Sequence, residues 1–205
     1  MPQSRRYKKK KSAGKAILAW IIVLAILAAA VFVFVSVFYE DTKKKLDEMN
    51  YPRTYSTYVE KAAKDYDLDP ALIYAVIHTE SGFDPKAESG VGAKGVMQMM
   101  PSSFEWLQEQ RGCAGQYTED DLFDPEICID YGSYLLKYFY DYYGTERSAI
   151  AAYNAGFVVS DWLSDTNYSS DGKNLDSIPY PETENYVDKV ESAKEMYIKL
   201  YYSQS

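Results

Sequence analysis

The chain has 205 residues and a net charge of −8 at pH 7, a length that allows one domain with a sizeable core plus additional segments. Seven of the 22 Lys and Arg lie in residues 1–15, whereas all 30 Asp and Glu follow residue 38. Beyond that point fifteen basic residues face thirty acidic ones, a net charge near −15. This balance argues against nucleic acid as a partner, because binding to phosphates requires positive charge.

Residues 16–38 form an uncharged apolar stretch in which Ser36 is the only polar residue. As a helix the stretch rises about 35 Å, which is enough to cross a bilayer with some tilt. A cleavable signal peptide would have a shorter apolar region of roughly 7–15 residues, so an uncleaved transmembrane signal anchor is favoured over that and over a buried core helix. The basic residues 1–15 predict a cytoplasmic tail, since positive charge stays inside. The chain after about Tyr39 is then extracytoplasmic, held at the cell membrane by a single span.

Residues 39–54 are charged and show no apolar periodicity, so they predict a juxtamembrane stalk that is partly helical. A globular domain is expected over residues 55–205, and its first helix should end near Tyr66. No long stretch alternates with the two-residue period of a strand, so the domain is predicted to be mainly helical.

The next helix begins at Asp69, a good N-cap, followed by Pro70 at the first helical position. Glu80 lies in its last turn on the same side as Val76 and Ile77, just before a helix-ending Gly82. Burial and the negative end of the helix dipole both raise the pKa of such a carboxyl group, as a general acid requires. The alternative is an ordinary end-of-helix Glu that turns outward to water.

A glycine-rich segment follows Glu80 and leads to the run Val96-Met97-Gln98-Met99-Met100-Pro101. Glycines allow the backbone to approach another element or a ligand closely. Residues 111–124 are predicted to be a loop, and 165–181 a polar surface loop. Between and after these loops, cap and proline signals place helices that start near Pro101, Pro125, Thr145, Phe157 and Pro181.

Three stretches, in order, resemble the lytic transglycosylase (SLT-type) domain, a lysozyme-like family. They are ESGFDPKAESGVGAKGVMQMMP from residue 80, AIAAYNAGF from residue 149 and YPETENYV from residue 180. The resemblance implies a lysozyme-like, mainly helical domain that cleaves the β-1,4 bond between N-acetylmuramic acid and N-acetylglucosamine in peptidoglycan glycan strands. It implies that Glu80 is the single acid/base and that the product carries a 1,6-anhydro ring.

The resemblance also assigns substrate-binding positions, carried over one residue at a time. Ser89 corresponds to a serine that bonds near the carboxylate, while Gln98 and Met100 correspond to groove-lining residues. The remaining matched positions are Tyr153 and Asn154 beside the reacting sugar, with Tyr153 as a hydroxyl donor, and Glu182 and Tyr186 as polar contacts.

Cys113 and Cys128 are the only cysteines. On the outer side of the membrane they would be able to form a disulfide closing a loop of about fifteen residues, and two buried free thiols are the alternative. His78 is the only histidine, and no Cys/His/Asp cluster has ligand spacing, so neither a metal nor another cofactor is expected.

Two other functions stay open at this point. A hydrolase like goose-type lysozyme would place water at the reacting carbon, with Asp84 or Glu88 to orient it. A non-catalytic wall-binding or scaffold protein would keep the groove without turnover, within an envelope assembly whose partners the sequence does not name. The tyrosine-rich helices at 131–143 and 197–202 are either glycan-stacking surface or core.

Overall fold

A computed structural model describes residues 4–203, with side chains from residue 14 onward. The chain divides into two compact units, with the boundary between Asn50 and Tyr51 in the sequence. The first unit is one helix, α1 (Ser4–Asn50). From Gly14 onward α1 is long and apolar enough, by length and composition, to cross a membrane, with a mean hydropathy of 3.2 in its most apolar window. Residues 39–50, predicted to be only partly helical, continue α1 without a break.

The second unit is helical throughout, and in the described residues it contains isolated β-bridges but no strand. This confirms the mainly α prediction. Its helices are α2 (Ser56–Tyr66), α3 (Pro70–Ser81), α4 (Pro101–Gln110), α5 (Pro125–Tyr143), α6 (Glu146–Ala155), α7 (Val159–Ser164) and α8 (Pro181–Tyr197). Short 3-10 turns occupy Glu119–Phe123 and Gly156–Val158, and a π-helical turn over Ile198–Tyr202 ends the fold.

Helix α3 lies at the centre of this unit, packed against α8 and α2. The seven residues from Ala71 to Ile77 are all buried, so this part of the helix is enclosed on every side rather than on one apolar stripe. The predicted caps are confirmed: the Asp69 carboxylate accepts from the Ala71 N–H at 2.9 Å, and Gly82 ends the helix at φ 58°. Burial decreases again in the C-terminal turn, which carries Glu80.

The globular unit begins at Tyr51, four residues before the predicted start at Tyr55. The Tyr51 ring stacks on His78 at 4.8 Å between ring centroids, and the Tyr197 hydroxyl donates to the Pro52 carbonyl at 3.2 Å. Residues 51–54, assigned to the stalk from sequence, are thus held by α3 and α8. The predicted loop 111–124 also differs, because a capping box between Thr118 and Asp121 organises its end as a 3-10 turn.

The two cysteines are free thiols, so the predicted disulfide is not formed. Each sulfur has a different partner. The Cys113 Sγ lies 3.3 Å from the Tyr131 hydroxyl, whereas the fully buried Cys128 Sγ accepts from the Met97 N–H at 3.4 Å. The sequence left two alternatives open, and the structure agrees with the one in which the thiols are not bridged.

The glycine-rich segment packs against the 3-10 turn and α5 at Gly95. Lys94 and Met99 form a short antiparallel bridge, with both N–H to O distances at 3.0 Å, and Gly95 begins the turn between them at φ 75°. A Cβ at Gly95 would lie 2.0 Å from the Leu122 carbonyl oxygen and 2.9 Å from the Cys128 Sγ. Only glycine fits this approach.

We therefore expect Gly95→Ala to destabilise the domain by about 2–4 kcal/mol, since the backbone carbonyl of Leu122 cannot move aside cheaply. Gly90→Ala is the matched control in the same segment, because nothing lies within 4 Å of its Cβ position and its φ is not positive. Chemical unfolding of the two variants measures the difference. Equal stability would contradict the packing described at Gly95.

Candidate active site

The Glu80 carboxylate lies between the last turn of α3 and the second turn of α8. The Tyr186 hydroxyl, itself buried, donates to the Glu80 Oε1 at 2.7 Å. Burial raises the pKa of Glu80 from 4.5 to about 7, and the Tyr186 hydrogen bond opposes part of that rise because it favours the ionised form. A carboxyl group with this pKa can both give and take a proton near neutral pH.

Ser81 connects the turn that carries Glu80 to the glycine-rich segment. Its hydroxyl donates to the Val96 carbonyl at 2.8 Å and accepts from the Phe83 N–H at 3.1 Å. Ser81 belongs to the first motif quoted from the sequence, which assigned it no contact. Its position directly after Glu80, before a chain reversal, was the available signal, since Ser often bonds to nearby backbone in turns.

Met97 forms the backbone wall opposite α6. Its N–H donates to the Cys128 Sγ, and its carbonyl accepts from the Tyr153 hydroxyl at 2.9 Å. Gly132 on α5 leaves room for the Met97 side chain, because a Cβ there would lie 2.5 Å from its Sδ. This interlocked packing fixes the segment that faces Tyr153.

Burial raises the pKa of Tyr153, and the nearby Glu80 carboxylate raises it further. Its hydroxyl hydrogen is used by the Met97 carbonyl, however. Tyr153 therefore differs from the sequence-based expectation of a free hydroxyl donor: in this arrangement its oxygen is left to accept. Tyr186 is the residue that donates at the carboxylate.

Gln98 holds the turn of the glycine-rich segment together. Its Nε2 donates to the carbonyls of Ala87 at 3.0 Å and Gly95 at 2.9 Å, at a backbone φ of 46°. These two bonds use both amide hydrogens, so the Oε1 is the group that a ligand can reach.

Ser89 and Met100 lie at the two ends of the same segment. The Ser89 Oγ accepts from the Ala93 N–H at 2.9 Å, which closes a local turn instead of reaching Glu80. Met100 is 38% exposed where α4 begins, so its side chain is accessible.

The α6 and α8 motifs meet through Asn154 and Thr183. The buried Thr183 hydroxyl donates to the Asn154 Oδ1 at 2.7 Å, while Glu182 beside it is exposed. Thr183 stands inside the motif quoted from the sequence but had no role assigned to it. Its contact joins the two helices that supply Tyr153 and Tyr186.

The site therefore contains one sheltered carboxyl group, the buried Tyr186 and the partly buried Tyr153, contributed by three separate helices. Asp84, Glu88 and Glu182 are exposed. Within residues 14–203 there is no group of three or more His, Cys, Asp or Glu side chains that would be able to hold a metal ion.

The sequence profile of the Transglycosylase SLT domain family matches residues 57–175, more than half of the chain. The chain belongs to the SLT family. Its SLT domain is 32% identical over 146 residues to the soluble lytic murein transglycosylase of Escherichia coli (strain K12), covering 70% of this chain and 23% of that protein. It is 30% identical over 170 residues to the membrane-bound lytic murein transglycosylase C of Actinobacillus succinogenes, covering 72% and 48%.

Solved structures share the SLT fold. The X-ray structure of an inactive glutamate-to-glutamine mutant of the lytic transglycosylase Slt from Pseudomonas aeruginosa superposes with a TM-score of 0.67 at 29% identity, over 77% of this chain and 26% of that one. The chain thus spans about a quarter of the length of the soluble relatives and about half that of the membrane-bound one.

The raised pKa of Glu80 in this SLT domain has a consequence for stability. The folded protein holds the proton more tightly than the unfolded chain, so stability falls as pH rises from 4.5 to about 7. Glu80→Gln removes this penalty and keeps an acceptor for Tyr186. We expect the variant to be more stable than the unmutated chain by roughly 2–3 kcal/mol at pH 8 and equal to it at pH 4.

Unfolding of the full chain in detergent at the two pH values measures this difference. Glu88→Gln, at an exposed position, is the control and should show no such pH-dependent gain. A Glu80→Gln curve parallel to that of the unmutated chain would mean that Glu80 is ionised in the folded protein at pH 4.5–7.

Proposed function

We propose that this protein is a membrane-anchored lytic transglycosylase of peptidoglycan. It cleaves the β-1,4 bond between N-acetylmuramic acid and N-acetylglucosamine and leaves a 1,6-anhydro ring on the muramic acid. Membership of the SLT family supports the activity, and the relatives named as lytic murein transglycosylases support the substrate. The observation that carries the mechanism is the sheltered Glu80 carboxyl group, with its pKa near 7.

In the first step, Glu80 acts as general acid. Its protonated carboxyl group gives the proton to the glycosidic oxygen as the bond to the anomeric carbon breaks. The sugar's own acetamido oxygen stabilises the positive charge at that carbon, whereas most glycosidases use a second carboxylate as nucleophile or base. This step fits a site in which Asp84, Glu88 and Glu182 are exposed.

In the second step, Glu80 acts as general base. The carboxylate takes the proton of the muramic acid 6-hydroxyl, whose oxygen attacks the anomeric carbon and closes the anhydro ring. Glu80 is then protonated again, and no water is consumed. The Tyr186 hydroxyl stabilises the carboxylate between the two steps, when its charge is otherwise poorly solvated.

The other matched residues bind the sugars. The Gln98 Oε1 accepts from hydroxyl or acetamide N–H groups, and Asn154 keeps its amide donor while Thr183 occupies its oxygen. Ser89, Met100, Tyr153 and Glu182 complete the proposed contacts.

Helix α1 anchors the enzyme in the cell membrane, with residues 1–15 in the cytoplasm and the catalytic domain outside. Its length and hydropathy support the anchor, as does a relative named as membrane-bound. The basic residues before the span support the orientation.

Mass spectrometry of the products released from purified sacculi tests the proposal. The full chain in detergent should release muropeptides with 1,6-anhydro ends. Glu80→Gln should lower the rate by about a hundredfold or more, because general acid–base catalysis contributes roughly 10²–10⁴. Glu88→Gln is the matched control and should keep the rate of the unmutated chain.

Other products would favour other functions. Reducing muramic ends, with a loss of rate in Glu88→Gln or Asp84→Asn, would establish a hydrolase of the goose-lysozyme kind. Binding to sacculi with no product from the unmutated chain would leave a wall-binding scaffold.

Removal of the Tyr186 hydroxyl should change the pH profile. In Tyr186→Phe the carboxylate loses a donor, so the Glu80 pKa should rise and the alkaline limb of kcat/KM should move to higher pH. Tyr153→Phe is the control, because its hydroxyl bonds to the Met97 carbonyl and not to Glu80. Its alkaline limb should stay in place. An equal shift in both variants would contradict a specific role for Tyr186.

A further inference from the structure

A patch of partly exposed aromatic rings lies on α5, on α4 and on the turn after α6. We call it the α5 aromatic face and define it by Trp106, Tyr138, Tyr142 and Phe157. Tyr142 is 58% exposed and Phe157 50% exposed, while Trp106 and Tyr138 are partly buried. None of these four side chains takes part in the hydrogen bonds around Glu80. Exposed aromatic patches of this kind mark interaction sites.

The rings of the face hold one another in place. Tyr138 and Tyr142 are stacked, with 16° between their planes and 6.3 Å between centroids. Phe157 meets both edge-on, at 6.2 Å and 5.8 Å, and Trp106 meets Tyr138 edge-on at 5.0 Å. A ligand binding to such a preformed surface loses little affinity to ordering of side chains.

Polar groups border these rings. A shallow cleft of about 320 Å³ is lined by Tyr134, Lys137, Tyr138, Asp141 and Tyr142. Lys137 and Asp141 form an ion pair at 2.6 Å across its rim. Aromatic faces next to hydroxyl, ammonium and carboxylate groups suit a sugar, whose C–H face stacks on a ring while its hydroxyl and acetamide groups form hydrogen bonds.

The face continues from the candidate active site along the chain. Tyr153 and Asn154 end α6 beside Glu80 and Thr183, and Phe157 follows within one turn. The Tyr143 hydroxyl fixes this turn, since it lies 3.1 Å from the Ser160 Oγ and 3.5 Å from the Phe157 carbonyl oxygen. A strand leaving the region of Asn154 therefore has an aromatic surface next to it.

We propose that the α5 aromatic face is a second binding surface for peptidoglycan glycan strands, separate from the sugars held at Glu80. The inference rests on the proposed function for the identity of the glycan. Two linked contacts on one polymer raise the effective concentration of the second, so the face keeps the enzyme on the strand during catalysis.

Binding to purified sacculi tests this surface in the full chain carrying Glu80→Gln, which separates binding from turnover. Adding Tyr142→Ala and Phe157→Ala should weaken binding by about tenfold, since exposed aromatic anchors dominate such contacts. Tyr140→Ala is the matched control: it is 38% exposed on the same helix and is not part of the face. Unfolding midpoints show whether each variant is folded. If the variant carrying both alanine substitutions does not fold, the single variants Tyr142→Ser and Phe157→Ser are used instead.

Turnover by chains that retain Glu80 gives the second readout. The paired variant should raise KM for sacculi and leave kcat on a short soluble glycan fragment unchanged. Unchanged affinity for sacculi, equal losses in Tyr140→Ala, a lower kcat on the short fragment, or a change of oligomeric mass in place of affinity would each overturn the proposal. Failure of the proposed function is seen separately, as wall cleavage that is insensitive to Glu80→Gln.

Discussion

The hydrogen bond from Tyr186 to Glu80 is the constraint on which the site depends. It joins residues 106 positions apart and links the C-terminal turn of α3 to α8. Helix α3 is enclosed from Ala71 to Ile77, so the carboxyl group lies where this enclosure ends and a cleft can begin. Burial favours the neutral acid and the tyrosine favours the anion, and their opposition leaves the pKa near 7. That balance is what a group used in turn as acid and base needs.

A second set of contacts fixes the wall that faces this carboxyl group. The Met97 backbone is held by Cys128 on one side and Tyr153 on the other, and Ser81 bonds to the neighbouring Val96 carbonyl. Gly95 permits the close approach that makes these bonds possible. The Tyr153 hydroxyl therefore has a structural role, because it donates to the Met97 carbonyl. These contacts position a single carboxyl group. Residues 14–203 contain no cluster of side chains that would be able to bind a metal ion.

Much of this architecture follows from local sequence signals. Cap residues such as Asp69 and Gly82 set the ends of α3, because N-cap and left-handed C-terminal positions depend on few neighbours. The direction of the Tyr153 hydroxyl was not predictable, since it depends on a carbonyl 56 residues away in the chain. The free state of Cys113 and Cys128 also depends on tertiary partners rather than on spacing. Of the tyrosines in the two tyrosine-rich segments, Tyr131 and Tyr197 belong to the core, whereas Tyr142 is exposed.

The Glu80 carboxyl group of the folded protein has a pKa near 7, so it gains and loses its proton near neutral pH. Carbon-13 NMR of the chain labelled at the glutamate side-chain carboxyl carbon measures this directly, with the Glu80 signal assigned by its absence from Glu80→Gln. The chemical shift of this carbon should titrate with a midpoint near pH 7. A midpoint near 4.5, the ordinary value for Glu, would contradict the claim and would place the carboxyl group in contact with bulk water.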